Sequence, residues 1–216
     1  MENYDNDILN LENSVKNLSI TKNSENIKKL KEYLDGIKIG HDEQILKLPT
    51  LKNAVIYCII NNLKSQQYGI YLESYIKNKF NYKTNKSSDC VGDCNNLKDN
   101  IEIKMSLGGS NYKKFNFVQI RLFHNCEIYI LVAYHLSHQN VENEGELYIF
   151  KISKSDIKKI ILSYGSYAHG TIKKNGKITK ELLDDKNNKY EYAIRTTFND
   201  DCWKMLNEFK ISENEL

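Results

Sequence analysis

The chain has 216 residues, enough for one substantial domain, and 40% of them are hydrophobic and 27% charged. This ordinary globular composition excludes wholesale disorder, and a single proline with ten glycines excludes collagen-like and linker-dominated chains. The 31 basic residues exceed the 28 acidic residues by three, a net charge too small to indicate a nucleic-acid binder without further evidence.

The N-terminal residues and the cysteines indicate the compartment. The first residues, MENYDNDILNLENS, are acidic and contain no apolar run of the kind found in secretory signals. No part of the sequence approaches the roughly 18 consecutive apolar residues that a membrane span requires. The five cysteines are an odd number scattered through the chain, which favours reduced thiols. We therefore expect a cytoplasmic protein with no membrane association.

The first part of the chain is predicted to be helical. Residues 1–48 are polar, with sparsely recurring apolar residues, and we interpret them as a helical N-terminal extension that packs on the core or supplies a dimer contact. Apolar spacing then predicts one helix over 51–59 and another over 65–80. The second helix carries Glu73 beside its apolar stripe, where a glutamate either turns toward solvent or has a specific task.

The rest of the chain is predicted to mix strands and helices. Period-two alternation predicts a strand over 101–105, and the nearly all-apolar run 127–136 is typical of a strand covered on both faces. The segment 113–124 fits either a helix or a strand, and a parallel pairing of its two neighbouring strands would favour a crossover helix. Further predicted elements are a strand at 146–152, a helix from Ser153 or Ser155 to Leu162, a strand at 191–196 and a helix at 203–209. This order indicates one α/β domain.

Two carboxylates and a lysine are predicted to converge on one hairpin. If residues 97–100 form a four-residue loop, residue 95 opposes 102 and residue 93 opposes 104. Asp93, Glu102 and Lys104 would then project from the same face of the sheet. Carboxylates are suited to bind Mg²⁺, and an adjacent lysine can hold an attacking water or help to deprotonate it. The pattern therefore favours hydrolysis of a phosphodiester over its alternative, an exposed surface ion pair.

The same residues carry a family resemblance. Gly92-Asp93, eight intervening residues and then Glu102-Ile103-Lys104 resembles the D…ExK signature of the PD-(D/E)XK nuclease superfamily, and is most similar to type II restriction endonucleases. The resemblance extends over roughly residues 65–165, where Glu73 lies upstream on a helix. One departure is Gly92, which stands where the motif has a proline.

The resemblance implies a fold, a cofactor and partners. The fold would be a PD-(D/E)XK-like core over residues 49–216, with a mixed central sheet flanked by helices. The activity would be Mg²⁺-dependent cleavage of double-stranded DNA by a homodimer, leaving 5′-phosphate and 3′-hydroxyl ends. The implied metal ligands are Asp93 and Glu102, and the implied catalytic residues are Glu73, Asp93, Glu102 and Lys104.

DNA contacts are expected from two other places. The segment from Tyr164 to Lys177 interleaves aromatic residues, glycines, a histidine and lysines, and such a loop can approach a duplex closely. A solvated glycine-rich hairpin is the alternative interpretation. Downstream of the carboxylate motif, we expect two further polar residues either to face the catalytic site or the DNA backbone, or to have simple surface roles. The candidate DNA-binding residues are Gln119, Arg121, His169, Lys173 and Lys174.

Other interpretations stay open. Cys90, Cys94, His124 and Cys126 could form a zinc set, although their spacing is less tight than in most structural zinc sites, and buried thiols explain the cysteines better. A DNA repair or junction-resolving nuclease would need the same carboxylates and lysine without strict sequence preference. A non-catalytic DNA-binding module would need neither the carboxylates nor the lysine.

Overall fold

The computed structural model describes residues 41–108, 113–168 and 176–216. Within these ranges, the sequence forms six α-helices and nine β-strands, joined by short turns and 3₁₀ segments. The helices are α1 (His41–Leu46), α2 (Leu51–Ile60), α3 (Ser65–Lys79), α4 (Lys154–Tyr164), α5 (Lys180–Asp184) and α6 (Asp201–Asn207). The strands are β1 (Lys83–Thr84), β2 (Cys94–Asn95), β3 (Asn100–Ser106), β4 (Lys114–Arg121), β5 (Ile128–His135), β6 (Glu146–Ser153), β7 (Gly165–Tyr167), β8 (Glu191–Thr197) and β9 (Lys210–Ile211).

Most strands belong to one mixed sheet. Its six strands follow the order β1-β2-β3-β5-β6-β9, with β3 and β5 parallel and the other pairs antiparallel. A second, antiparallel sheet has the order β4-β8-β7. The predicted α/β class, with a mixed central sheet flanked by helices, is confirmed.

Strand β5 is covered on both faces, as its apolar run predicts. Ile130, Val132 and Tyr134 belong to one hydrophobic cluster, and the alternating Tyr129, Leu131 and Ala133 belong to another. Because successive side chains of a strand point to opposite faces, the sheet separates the two clusters.

Helices α1, α2 and α3 cover the first face of the sheet. Their buried residues include Val55 and Cys58 in α2 and Tyr75 in α3, packed with Ile101 and Ile103 of β3. Thr50 caps α2 by accepting a hydrogen bond from the Asn53 amide, as N-cap threonines do. From the predicted N-terminal extension, residues 41–48 contribute Ile45 and Leu48 to this cluster, and residues 1–40 lie outside the described ranges.

The second face is covered by the second sheet and by α4 and α6. Ser153 caps α4 and Asp200 caps α6, each by accepting a hydrogen bond from a backbone amide of the first turn. The only tryptophan, Trp203 of α6, stacks on Phe115 in the core of this cluster. All five cysteines fall within the described ranges and are free, which agrees with the expectation of reduced thiols.

The segment between the two parallel strands corrects one prediction. Residues 114–121 form strand β4 of the second sheet, so the helix favoured for this crossover is wrong. A β-bulge between Phe117 and Ile120 shifts the register with β8, and Gln119 has a positive φ of 57° there. None of the helices in the described ranges is both long enough and apolar enough to cross a bilayer.

Candidate metal centre

The hairpin of β2 and β3 brings the acidic residues together. Cys94 pairs with Ile101 and Asn95 with Asn100, so the loop is 96–99 and the predicted register is wrong by two residues. The Asn96 side chain fixes this turn by accepting hydrogen bonds from the Lys98 and Asp99 amides. A shift of two residues leaves each side chain on the same face. The predicted convergence of side chains therefore survives the error in register.

Asp93 lies where β2 begins, and its carboxylate is held by the backbone of β3. Its amide donates to the Ile101 carbonyl at 2.8 Å, and its Oδ2 accepts a hydrogen bond from the Ile103 amide at 2.7 Å. The Asp93 side chain thus accepts a hydrogen bond from the Ile103 amide, which lies beyond the part of β3 that pairs with β2. This contact fixes the carboxylate next to Glu102 and Lys104.

Glu102 and Lys104 form the centre of the cluster. The Lys104 Nζ lies 2.5 Å from Glu102 Oε1 and 3.5 Å from Asp93 Oδ2. The side chain of Glu102 is 1% exposed, and neither of its oxygens has a hydrogen-bond partner of acceptable geometry in the described structure. Its contact with Lys104 is a close ion pair that places the ammonium against Oε1. Burial alone would lower the pKa of Lys104, but the carboxylates of Asp93 and Glu102 outweigh burial and raise it.

Glu73 joins the cluster from helix α3. Its Oε1 forms an ion pair with Lys77 Nζ at 2.7 Å, one helical turn away. Burial raises the pKa of Glu73, and the nearby Asp93 carboxylate raises it further, while Lys77 and Lys104 oppose this shift. Glu73 is thus electrostatically coupled to Asp93 and Lys104.

Glu102 also belongs to a second set of donor atoms. Glu102, His124 and Cys126 each offer one ligand atom, and the three atoms lie within 4.8 Å of one another, so this buried group could hold a metal ion. The His124 Nδ1 is 3.5 Å from Glu102 Oε2 and has no hydrogen-bond partner among the described residues. Burial, followed by the charge of Glu102, raises the pKa of the Cys126 thiol to about 12.

Position 92, where the resembled signature has a proline, is a glycine for a structural reason. Its φ is +85°, a conformation that proline cannot adopt and that other residues with a side chain rarely adopt. A Cβ on Gly92 would lie 2.4 Å from Cys126 Sγ and 2.7 Å from the Ile101 carbonyl oxygen. The close approach of the two chain segments at this point therefore requires glycine.

The candidate DNA-binding residues have different positions. Arg121 ends β4, donates to Glu191 Oε1 at 2.7 Å, and is close enough to Glu102 and Asp93 for their charges to help raise its pKa against the opposing effect of burial. Gln119 is exposed in the β4 bulge, and no hydrogen bond within the described ranges joins it to the carboxylates. His169, Lys173 and Lys174 lie outside the described residues.

The grouping of Glu102 with His124 and Cys126 was not predicted. The sequence suggested a zinc set that joined the last two residues to Cys90 and Cys94. In the structure Cys90 is exposed, and the described cluster of possible metal ligands contains neither of these cysteines. The signal that could have found it is the parallel pairing of Glu102 with Tyr129, because it brings the residues just before β5 beside the start of β3.

Comparisons with protein-family models, with curated proteins and with solved structures gave no match. The function must therefore be inferred from the chemistry of these residues.

Proposed function

We propose that the protein is a Mg²⁺-dependent endonuclease of the PD-(D/E)XK type that cleaves double-stranded DNA as a type II restriction enzyme. The observation that carries this proposal is the convergence of Asp93, Glu102 and Lys104, with Lys104 Nζ within 3.5 Å of a carboxylate oxygen of each acid. Glu73, coupled to the same charges, adds a third carboxylate. A surface ion pair does not explain the cluster, because Glu102 is almost completely buried.

The donor set fits Mg²⁺. Asp93 and Glu102 would hold the ion, and the buried Oε2 of Glu102 has no hydrogen-bond partner in the described structure, whereas Oε1 is paired with the Lys104 ammonium. A buried carboxylate oxygen without a hydrogen bond is costly, which supports a site that a cation completes. Mg²⁺ binds through one or two carboxylates with water and phosphate oxygens, and when bound it stabilises negative charge on the phosphodiester and lowers the pKa of a bound water.

Lys104 has a defined role in the proposed reaction. Its raised pKa keeps the ammonium protonated at neutral pH, so it acts as a hydrogen-bond donor that orients the attacking water or a phosphate oxygen. The water gives up a proton to bulk solvent as its oxygen attacks phosphorus, the bond to the 3′-oxygen breaks, and that oxygen takes up a proton from solvent. The products are a 5′-phosphate and a 3′-hydroxyl end.

Nearby cations support an anionic substrate. Lys77 beside Glu73 and Arg121 beside Glu191 lie around the acidic cluster and could contact the DNA backbone. Gln119, exposed in the bulge of β4, is available for a contact with bases or with phosphate. A homodimer that reads a short palindrome is part of the proposal, because two-fold protein symmetry matches two-fold site symmetry.

A plasmid digest tests the proposal. Purified protein is incubated with plasmid DNA and Mg²⁺, with EDTA as the metal-free control, and the ends of any fragments are sequenced. Discrete fragments with one recurring end sequence support a restriction enzyme. Smearing or structure-dependent nicking would instead indicate a repair or junction-resolving nuclease.

Matched variants connect the cleavage to the cluster. Asp93→Asn and Lys104→Met should each reduce cleavage by at least about a hundredfold, the range typical for loss of one catalytic group. Asp184→Asn and Lys158→Met are the controls, since these two residues form a surface ion pair at 2.8 Å. Equal cleavage by all four variants, or none by the wild type on any duplex, would reject the proposal.

A further inference from the structure

The two carboxylate oxygens of Glu102 lie next to different kinds of side chain. Oε1 contacts the ammonium of Lys104 at 2.5 Å, on the side of Asp93. Oε2 lies 3.5 Å from His124 Nδ1, and one ligand atom from each of Glu102, His124 and Cys126 lies within 4.8 Å of the other two. Glu102 thus contacts an ammonium through one oxygen and lies next to nitrogen and sulfur donors as well.

The second set of donor atoms contains buried polar atoms that the described protein leaves unsatisfied. Glu102 Oε2 and His124 Nδ1 are both without hydrogen-bond partners among the described residues, and Glu102 and Cys126 are each 1% exposed. Buried polar atoms in folded proteins nearly always have a partner. A bound cation would supply the missing partner to both atoms at once.

We infer that Glu102 Oε2, His124 Nδ1 and Cys126 Sγ form a second metal site, which binds Zn²⁺ or a chemically similar transition-metal ion. One carboxylate, one imidazole and one thiolate leave a fourth position of a tetrahedral ion open to water or to a ligand oxygen. The 12% exposure of the His124 side chain provides a route from solvent to the site.

The donor atoms select the metal. Thiolate and imidazole ligands suit Zn²⁺ and its neighbours in the transition series, whereas Mg²⁺ requires oxygen ligands. The Glu102 carboxylate and a Cys126 thiolate together supply two negative charges, which balance a divalent ion. Zinc–ligand bonds of about 2.0–2.3 Å place tetrahedral ligands about 3.3–3.8 Å apart. The three ligand atoms lie up to 4.8 Å apart, so they would have to move about 1 Å closer together to bind the ion. Rotation of the side chains can supply this movement.

The second site shares a ligand with the proposed Mg²⁺ site but does not depend on it. Glu102 could bridge two ions, one through each oxygen, as carboxylates do in two-metal phosphodiesterases. The inference rests only on the positions and burial of three side chains, so it stands whether or not the protein cleaves DNA.

Cobalt substitution tests the site directly. The full-length protein is stripped of metal with EDTA, kept reduced and titrated with Co²⁺, which reports a sulfur ligand through a thiolate-to-metal absorption band. We expect the band to saturate at one Co²⁺ per chain, to disappear on addition of one equivalent of Zn²⁺, and to be unaffected by excess Mg²⁺.

Variants assign the ligands. Cys126→Ser should remove the thiolate band, and His124→Gln should weaken Co²⁺ binding at least about tenfold while far-ultraviolet circular dichroism stays unchanged. The matched control is Cys202→Ser, since Cys202 is a buried thiol of the same hydrophobic cluster and belongs to no group of possible metal ligands within the described ranges. Asp93→Asn should keep the band, which separates this site from the proposed nuclease centre.

Two results would overturn the inference. One is the absence of a thiolate band in the folded, reduced wild-type protein, which would leave His124 and Glu102 as a simple ion pair. The other is a band that persists in Cys126→Ser and disappears in Cys202→Ser or in a variant of the exposed Cys90.

Discussion

At the scale of single residues, Lys104 and a divalent cation compete for the same negative charge. The Lys104 ammonium lies within 3.5 Å of a carboxylate oxygen of both Asp93 and Glu102, so a Mg²⁺ held by these carboxylates would meet a like charge. Repulsion between unit charges about 4 Å apart is worth at least about 1 kcal/mol even at the dielectric constant of water. The lysine therefore weakens metal binding while it contributes to the proposed chemistry.

Lys104→Met should separate these two effects. We expect Mg²⁺ to bind about fivefold more tightly, which corresponds to about 1 kcal/mol, while cleavage is lost. Isothermal titration calorimetry measures the first effect and a plasmid digest the second, with Lys158→Met as the control. Weaker Mg²⁺ binding in Lys104→Met would contradict the view that the lysine opposes the ion.

Gly92 permits a second residue-scale prediction. In Gly92→Ala the Cβ would overlap Cys126 Sγ and the Ile101 carbonyl oxygen, at a φ of +85°. We expect the free energy of unfolding to fall by about 2 kcal/mol or more, because conformational strain of about 1–3 kcal/mol adds to the overlap.

Gly69→Ala is the matched control for this change. Gly69 lies inside α3, and a Cβ there would meet nothing within 4 Å. Because alanine has a higher helix propensity than glycine, Gly69→Ala should raise the free energy of unfolding by about 0.5–1 kcal/mol. Urea denaturation compares the two variants, and equal effects would mean that the backbone at Gly92 is less constrained than the structure indicates.

Local sequence spacing was enough to predict which residues meet at the carboxylate cluster. Asp93, Glu102 and Lys104 share a face in any hairpin whose register has the right parity, so the wrong register still predicted their convergence. The partnership of His124 and Cys126 with Glu102 depends on the parallel pairing of β3 and β5. That pairing joins distant parts of the chain, and nothing in the local spacing specifies it.

At the scale of elements, the bulge explains why the sequence of β4 fits a helix as well as a strand. Phe115 and Phe117 alternate as strand residues do, and the bulge then inserts one residue before the buried Ile120. The resulting three-residue step from Phe117 to Ile120 is the spacing expected of a helix. Residues 114–121 therefore form a strand in which the alternation of buried and exposed residues is interrupted once. The position of this interruption becomes visible only in the pairing of β4 with β8.

Helix α6 provides a prediction about pH. Its N-cap, Asp200, accepts hydrogen bonds from the Thr196 hydroxyl at 2.5 Å, the Thr197 amide at 2.6 Å and the Trp203 amide at 2.8 Å. Burial alone would raise the pKa of Asp200, but these hydrogen bonds outweigh it and lower the pKa below its ordinary value of 3.8. A lowered pKa in the folded state means stabilisation that is complete well above pH 3.8 and is lost as the pH falls through the folded-state pKa.

Asp200→Asn removes the charge and keeps the size of the side chain. We expect it to lower the free energy of unfolding by about 1 kcal/mol at neutral pH and to have progressively less effect below pH 3.8. Urea denaturation at a series of pH values measures the difference. Asp201→Asn, at an exposed ion pair with Lys204, is the control and should show no such pH dependence. If Asp200→Asn lowered the free energy of unfolding by the same amount at every pH, the carboxylate charge could not be the cause of the destabilisation.

At the scale of the whole molecule, the proposed metal ligands and the charged residues beside them lie where separate parts of the fold meet. Glu102 and Lys104 extend from β3, Asp93 from the start of β2 and Glu73 from α3, while His124 and Cys126 follow the last strand residue of β4. A cation held by these groups would connect helices on one face of the central sheet with the segment that leads into β5. Metal binding should therefore stabilise the fold as a unit.

Thermal unfolding in the presence of Mg²⁺ tests this coupling. At a concentration about 100 times its Kd, an ion that binds only the folded state adds about 2.7 kcal/mol. For a chain of this size that corresponds to a rise in Tm of about 5–11 °C. The fluorescence of Trp203, 1% exposed in the hydrophobic cluster on the second face of the sheet, reports unfolding of the core. Glu102→Gln should abolish the Mg²⁺-dependent rise and Asp184→Asn should retain it, so an equal rise in both would place the stabilising ion somewhere other than Glu102.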